Sequence, residues 1–223
     1  MVVMNPGISN ISIDIYSDVI CPWCYVGKRR LARALSQLPT VRTSVTWRPF
    51  QLNPTMPADG TERTAYLEAK FGSLDTFRRL EEQIIAAGES EQISFAFDRI
   101  SKTPNTFLAH RLIWHAGQQG RQDQVVDALF RGYFEQGADI GSAAILIALA
   151  QSSVDAGRFL KTDEGAADVK AEEAAGHRLG IRAVPYFVLN NRYGISGAQP
   201  VEVFAGAIEK IHAQQAETLL SGK

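Results

Sequence analysis

The most constraining feature of this 223-residue chain is the run Cys21-Pro22-Trp23-Cys24, which holds both of its cysteines. It follows directly on the alternating apolar run Ile11–Tyr16, which predicts a β-strand, and it precedes leucines at helical spacing. Two thiols on the first turn of a helix can close a small disulfide ring. Because a CxxC pair between a strand and a helix is a much stronger signal than the pair alone, the motif predicts thiol-disulfide chemistry.

The spacing places Cys21 at or near the N-cap of the helix, where unpaired backbone N–H groups and the helix dipole favour a thiolate. Pro22 suits the first helical position because its missing N–H costs nothing there. Cys24 lies half a turn deeper and should be the less exposed sulfur. We therefore expect Cys21 to form a mixed disulfide and Cys24 to resolve it, with Pro22 and Trp23 as substrate contacts.

Two other uses of the cysteine pair are weaker. A structural disulfide between such close neighbours would close a loop too small to give much entropic stabilisation. A structural zinc site needs four ligands, and the chain offers only two thiols and four scattered histidines. We expect no metal.

Composition restricts the class of partner. Hydrophobic residues make up 45% of the chain and charged residues 21%, as in an ordinary globular protein with ample material for a core. A net charge of −1 argues against a nucleic acid or an anionic membrane surface as a partner bound mainly by charge. The basic run Lys28-Arg29-Arg30 is most simply a solvated helix face.

Nothing in the sequence predicts membrane insertion or export. The longest apolar stretch, Ala143–Ala150, is far shorter than the about 20 residues that span a bilayer. The first ten residues, MVVMNPGISN, lack a basic start, an apolar stretch and a small-residue cleavage site. A processed mature form would look the same. We expect a cytoplasmic protein, and in a reducing cytosol a CxxC pair is more often catalytic than structural.

The periodicity along the chain changes character twice. In order, the patterns predict a strand at Ile11–Tyr16, a helix at Trp23–Leu38, a strand at Val41–Phe50, helices interrupted by the extended segment SFAFDRISKT, strands at Val184–Leu189 and Tyr193–Ser196, and a last helix. The order βαβ, helices, ββα is the thioredoxin arrangement, an α/β fold, with a large all-helical insertion. The expected boundaries are 11–58 and 179–215 for the two halves of the fold and 59–178 for the insertion.

Val184-Pro185 opens the first strand after the insertion, and two interpretations compete there. A trans proline is tolerated at the start of an edge strand. A cis bond would instead turn the backbone N–H and C=O of Val184 toward the redox loop, where an extended substrate chain could pair with them. Opposite a CxxC helix, the cis interpretation is favoured.

Three segments are specific as a set: SDVICPWCYVGK, TPNTFLAHRL and AVPYFVLNNRYGISGAQPVEVF. Together they resemble the FrnE-like branch of the DsbA family of thiol-disulfide oxidoreductases, over most of the chain from about residue 11 to residue 211. The resemblance implies a thioredoxin fold with a helical insertion, Cys21 as nucleophile, Cys24 as resolving thiol and Pro185 as the cis proline. We expect no cofactor beyond the redox-active disulfide, with glutathione as a candidate co-substrate.

Three further residues are candidate modulators of the thiols. Similar chains often carry an acidic residue where this chain has Gln51, which cannot help to deprotonate the resolving thiol. Asp18 or a water could serve instead, although Asp18 as a turn residue that satisfies backbone N–H groups is the favoured interpretation. His110 could line the cleft that faces Cys21 and tune its thiolate, whereas helical histidines are more often packing or surface groups.

The leading functional hypothesis is a thiol-disulfide oxidoreductase that acts on a protein or a small thiol, in a direction that the motif does not specify. A glutathione-dependent isomerase or transferase, of the kappa-class or 2-hydroxychromene-2-carboxylate isomerase type, is the second. The intact Cys24 counts against it, because those relatives typically do not rely on a CxxC pair. A non-catalytic partner in a biosynthetic pathway is the third. Under any of them the insertion could supply a substrate pocket or the face of a homodimer.

Overall fold

The computed structural model describes residues 10–221 of the chain, with side chains through residue 218. Nine of the ten N-terminal residues on which the expectation of no leader depends lie outside this range. The described residues form six strands: β1 (Ile11–Ser17), β2 (Thr43–Pro49), β3 (Thr61–Glu62), β4 (Lys102–Thr103), β5 (Tyr186–Leu189) and β6 (Tyr193–Ser196). The α-helices in the same range are α1 (Pro22–Gln37), α2 (Arg63–Phe71), α3 (Leu74–Glu89), α4 (Phe107–Gly117), α5 (Gln122–Gln136), α6 (Ala143–Ala150), α7 (Ala156–Phe159), α8 (Ala166–Arg178) and α9 (Val201–Ser221).

The central sheet has the strand order β2-β1-β5-β6. β1 pairs with β2 in parallel, in a register that opposes Ile15 to Trp47, and with β5 antiparallel, opposing Ile15 to Phe187. β5 and β6 form the expected hairpin. The order of elements confirms the βαβ and ββα halves of a thioredoxin fold. The alternating apolar pattern of β1 buries one side of the strand in the core.

Helices α1 and α9 pack together against the sheet. A glycine permits the close approach of α1, since a Cβ at Gly27 would lie 3.1 Å from the Phe187 ring and 3.2 Å from the Pro185 side chain. The first turns of α1 therefore lie directly against the segment that leads into β5. This contact places the CxxC pair beside Pro185.

The insertion shares its core with the sheet. Tyr25 of α1 stacks on Phe130 of α5, with ring centroids 5.0 Å apart. Both rings belong to one buried cluster that also includes the isoleucines of β1. The segments on either side of residues 58 and 178 thus contribute to one continuous core. The division into three segments stays a prediction.

The insertion is helical but not all-helical, which corrects the expectation. Strands β3 and β4 pair antiparallel, and the Arg63 N–H donates to the Ser101 carbonyl at 3.0 Å beside them. The segment predicted to be extended holds a 3-10 turn at Phe97–Arg99 before β4. Two-residue strands contain no repeat of the alternation, so periodicity could not predict them.

The prediction of a solvated face at Lys28-Arg29-Arg30 is wrong. Lys28 is 8% exposed and makes ion pairs with Asp123 and Asp127 of α5 at 3.1 and 3.3 Å. The basic run is covered because the insertion folds α5 back over α1, a contact that the local pattern does not encode. Carboxylates from a distant segment neutralise charges that the sequence alone would assign to solvent.

The other differences are at element ends. β2 begins at Thr43 instead of Val41, and β5 begins at Tyr186 because Val184 and Pro185 form the turn that precedes it. The four-residue helix α7 was not predicted. No helix within residues 10–221 is long and apolar enough to cross a membrane.

Candidate active site

The CxxC pair occupies the junction between β1 and α1. Cys21 is the N-cap of α1 and Pro22 takes the first helical position, as the sequence predicts. The Cys24 N–H donates to the Cys21 carbonyl at 3.0 Å, which closes the first turn. Both thiols are free. Cys24 is 1% exposed and Cys21 5%, so Cys24 is the less accessible sulfur, although both are buried.

The segment before β5 lies against Cys21. The Val184–Pro185 peptide bond is cis, in agreement with the favoured interpretation of the sequence. The Cys21 thiol donates to the Val184 carbonyl oxygen, with Sγ 3.6 Å from that oxygen. Cys21, Val184 and Pro185 therefore form one surface, although they are far apart in the sequence.

Cys24 faces the interior of the protein. Burial raises the pKa of Cys24 well above that of a free thiol, and the neighbouring Cys21 sulfur raises it further. The nearby Ser17 hydroxyl and a backbone hydrogen bond from Asp18 oppose this rise without cancelling it. Cys24 is consequently a neutral thiol that must lose its proton before it can attack a disulfide.

A buried carboxylate adjoins this turn. Asp18 is 0% exposed, and its carboxylate accepts from the backbone N–H groups of Leu52 at 2.7 Å and Ile20 at 3.5 Å. It thus satisfies backbone donors, as the interpretation of Asp18 as a turn residue expects. The His110 Nε2 lies 3.5 Å from the same carboxylate and has no hydrogen-bond partner of ordinary geometry among the described residues. Asp18 and His110 form a buried acid and base pair.

His110 does not lie where the sequence analysis placed it. It adjoins Asp18 on the interior side and is not among the residues that line the cavity beside Cys21, because α4 packs against the sheet. Gln51 follows β2 in the turn that also supplies the Leu52 N–H, and its side-chain Nε2 has no hydrogen-bond partner in the described part of the chain. The roles of these residues stay predictions.

A cavity of about 230 Å³ opens beside Cys21, between the start of α1 and the insertion. Trp23, 36% exposed, lies at this cavity together with Cys21 and Pro22. The insertion supplies most of the wall: Arg63, Tyr66, Leu67, Lys70, Phe71, Phe77, Leu80, Ile84, Phe97, Thr103, Tyr133 and Phe134. None of these residues is predicted as a site residue from the sequence, because helical periodicity does not distinguish an aromatic residue in a core from one that lines a cavity.

The expectation of no metal stays a prediction. Within residues 10–221, no group of three or more His, Cys, Asp or Glu side chains is arranged to hold a metal ion. The arrangement is suited to exchange between the two sulfurs and a third.

Comparison with known proteins gives the same assignment. The family model described as DSBA-like thioredoxin domain matches residues 12–209. The uncharacterized protein YwbO of Bacillus subtilis (strain 168) is 26% identical over 203 residues, which cover 89% of this chain and 96% of YwbO. The crystal structure of the probable DsbA oxidoreductase SCO1869 from Streptomyces coelicolor is 33% identical with a TM-score of 0.82, over 90% of this chain and 89% of that one. A 2-hydroxychromene-2-carboxylate isomerase shares the fold at 13% identity, with a TM-score of 0.68 over 93% and 98% of the two chains. With the CxxC pair at the start of α1, the chain therefore belongs to the DsbA-like family of thiol-disulfide oxidoreductases.

Proposed function

We propose that the protein exchanges a dithiol for a disulfide with its substrate, through a mixed disulfide on Cys21 that Cys24 resolves. The observation that supports this assignment most directly is the difference in surroundings. Cys21 lines an open cavity, whereas Cys24 is enclosed behind it. A substrate sulfur can reach Cys21, and only Cys21 can reach Cys24.

The exchange has two steps. The Cys21 thiolate attacks one sulfur of the substrate disulfide, a new S–S bond forms, and the other substrate sulfur leaves as a thiolate. The Cys24 thiolate then attacks the Cys21 sulfur and releases the second substrate thiolate, which leaves a Cys21–Cys24 disulfide. Two electrons pass from the protein to the substrate. The reverse sequence oxidises a substrate dithiol, and the relative stability of the two protein states decides the direction.

The second step needs a proton acceptor, because Cys24 is held as a neutral thiol. We assign this task to the buried pair of Asp18 and His110, with Asp18 as the group next to the CxxC turn. Gln51 cannot accept a proton. Asp18 does not contact the substrate, and in this proposal it is the general base for Cys24 in the second step.

Substrate contacts are proposed for the residues around Cys21. The Val184 carbonyl, which accepts the Cys21 thiol, becomes free when Cys21 enters a mixed disulfide, and it can then accept from a substrate N–H. Trp23 and Pro22 border the approach to Cys21, and Pro185 lies beside it. We propose no cofactor beyond the disulfide, and we propose glutathione as a co-substrate. We further propose that the protein works in a reducing cytoplasm, where a CxxC pair is more often catalytic than structural.

The alternatives are less well supported. The likeness to 2-hydroxychromene-2-carboxylate isomerase, at 13% identity, shows the shared fold alone. A second thiol enclosed behind the first has a use in the resolving step of disulfide exchange, whereas an isomerase that works with one nucleophile or a non-catalytic partner does not need it. Placement in the FrnE-like branch stays a proposal that rests on the three sequence segments.

An equilibrium titration of the Cys21/Cys24 pair against glutathione buffers tests the proposal. Trp23 fluorescence reports the transition and thiol alkylation confirms it, with Trp114→Phe as a control that leaves the reporter in place. A two-electron transition near about −180 mV or above would indicate an oxidase or isomerase, and one near about −270 mV a reductase. The absence of a reversible disulfide at any potential would contradict the proposal.

A further inference from the structure

Arg63 is a half-buried cation with no acidic partner among the residues that the structure describes. Its guanidinium lies over the rings of Phe77 and Phe97, 5.5 and 5.6 Å from their centroids. One of its nitrogens donates to the Tyr133 hydroxyl at 3.4 Å. Arg63 makes no ion pair with any described residue. Glu81 is close enough to feel its charge, but it forms no pair with Arg63, and burial raises the Glu81 pKa.

The basic residues of α1 differ from Arg63. All four of them pair with carboxylates that other segments supply: Lys28 with Asp123 and Asp127, Arg29 with Asp127, and Arg30 and Arg33 with Glu91. The cations of α1 are therefore neutralised by carboxylates of the segments that pack on this helix. A partly desolvated cation that is left unpaired costs free energy, and an anionic ligand would recover it.

The cavity that Arg63 lines is mostly apolar, and the charged side chains in its wall are both cations. Its lining includes a second cation, Lys70, which donates to the Tyr66 hydroxyl at 2.6 Å, and it includes no carboxylate. Burial raises the pKa of Tyr133 to about 12, so this phenol adds no negative charge near neutral pH. The Thr103 hydroxyl, also in the wall, makes no hydrogen bond of ordinary geometry with described residues. Polar donors thus converge on an aromatic cavity.

The size of the cavity restricts what can fill it. An apolar cavity of about 150 Å³ holds benzene. At about 230 Å³, this cavity has room for one substituted aromatic ring. Aromatic side chains stack against such a ring at its face or edge. Cys21 borders the same space, so a ring held there can bring its own sulfur to the nucleophile.

We propose that the substrate is a small aromatic disulfide, or the corresponding thiol, that carries an anionic group held by Arg63 and Lys70. The proposal rests on the thiol-disulfide exchange proposed above and names its substrate class. The ring lies among Phe71, Phe77 and Phe97, and the sulfur meets Cys21. Cys21 attacks that sulfur and the distal aromatic thiolate leaves, after which Cys24 releases the bound thiolate and the protein disulfide forms, with two electrons transferred in all.

Two reagents of matched chemistry test this substrate class. Dithiobis(nitrobenzoate) is an aromatic disulfide with a carboxylate on each ring, and dithiodipyridine is an aromatic disulfide that is neutral at neutral pH. The second-order rate constant of each with the reduced full-length protein is measured by stopped flow from the released thiolate or thione. Comparison of each variant with wild type for one reagent at a time removes the intrinsic difference in reactivity between the two.

Arg63→Gln should slow the reaction of Cys21 with dithiobis(nitrobenzoate) about tenfold, the effect of one hydrogen bond to a charged group. The same variant should leave dithiodipyridine within about twofold of wild type, since the neutral ring has no use for the cation. Arg63→Lys should retain most of the rate. Arg78→Gln removes an equal charge from the exposed face of α3, where Arg78 pairs with Asp75, and should slow neither reagent.

A sulfur-free nitrobenzoate gives an independent measurement of binding. It should protect Cys21 from dithiodipyridine in the wild type and protect it much less in Arg63→Gln. Lys70→Gln, at an exposed position, serves in the same assay if Arg63→Gln does not fold. Equal slowing of both reagents by Arg63→Gln, or no protection by nitrobenzoate, would overturn the substrate class and leave the exchange reaction intact. If neither reagent reacts with Cys21 faster than with free cysteine, the proposed function itself fails.

Discussion

The two sides of the CxxC turn differ in almost every physical property. The outer side, at Cys21 and Trp23, borders an open aromatic cavity with two cations that no described carboxylate pairs. The inner side, at Cys24, is closed and holds the buried pair of Asp18 and His110. In the proposed mechanism, one turn of helix therefore separates the side that meets the substrate from the side that takes up the proton. We infer from this difference that the two thiols act in different steps.

The largest effects are expected from replacing each of the two cysteines in turn. Cys21→Ser should abolish exchange with any disulfide, because Cys24 cannot reach a substrate. Cys24→Ser should retain the first step and accumulate a mixed disulfide on Cys21, since nothing resolves it. Intact-mass measurement after incubation with a disulfide distinguishes the two variants. Adducts that accumulate on Cys24 in the Cys21→Ser protein would reverse the assignment.

The inner side is tested by Asp18→Asn, which keeps an oxygen to accept from the Leu52 N–H but removes the charge. Resolution of the mixed disulfide should slow about a hundredfold near neutral pH, a usual size for the loss of general base assistance. The deficit should shrink as pH rises, because hydroxide can then take the Cys24 proton. Asp75→Asn, on the exposed start of α3, is the matched control.

If the rate of resolution in Asp18→Asn is lowered by the same factor at every pH, Asp18 has a structural role and does not take part in proton transfer. His110→Gln in the same assay separates the two members of the pair. It removes the imidazole next to Asp18 and should give a smaller deficit of the same pH dependence.

The raised pKa of Cys24 also predicts how stability depends on pH. The folded protein holds the Cys24 proton to higher pH than the unfolded chain, whose thiol titrates near about 8.5. The unfolded state therefore binds fewer protons above that pH, and the free energy of unfolding of the reduced protein should fall as pH rises, by up to about 1.4 kcal/mol per unit. Urea denaturation between about pH 8 and 9, below the ordinary tyrosine pKa of about 10, measures the slope. Reduced Cys24→Ala should show a flatter slope, and identical slopes would contradict the prediction.

The smallest effect on stability is expected on the outer side. Trp23→Ala should change the free energy of unfolding by no more than about 0.5 kcal/mol, because the side chain is partly exposed and surface changes are usually that small. Trp47→Ala, a deletion of the same size in the core, should cost about 3–5 kcal/mol. Trp23→Ala should nevertheless slow the attack of Cys21 on disulfides. An unfolding cost for Trp23→Ala that approaches that of Trp47→Ala would show that Trp23 is part of the core and not of the substrate approach.

Much of the site could be predicted from short stretches of sequence. Cys21 at the N-cap, Pro22 at the first helical position and the hairpin after Pro185 depend on residues within a few positions of one another. The cis bond was favoured by its expected place opposite the CxxC helix, and the structure contains it. The charged run that begins at Lys28 was assigned wrongly, since the carboxylates that cover it come from α5.

The order of the long elements and the reactive pair can be predicted from the sequence, because periodicity, capping and turn chemistry act over a few residues. Three features depend on the tertiary structure: Asp18 lies next to His110, Lys28 forms ion pairs with α5, and Arg63 forms no ion pair with any described residue. These outcomes depend on which distant segments pack together, and therefore on burial and on the charges that each neighbour brings. Lys28 is covered because α5 brings carboxylates to it, whereas the segments packed around Arg63 bring mainly aromatic side chains and leave it in the wall of the cavity beside Cys21.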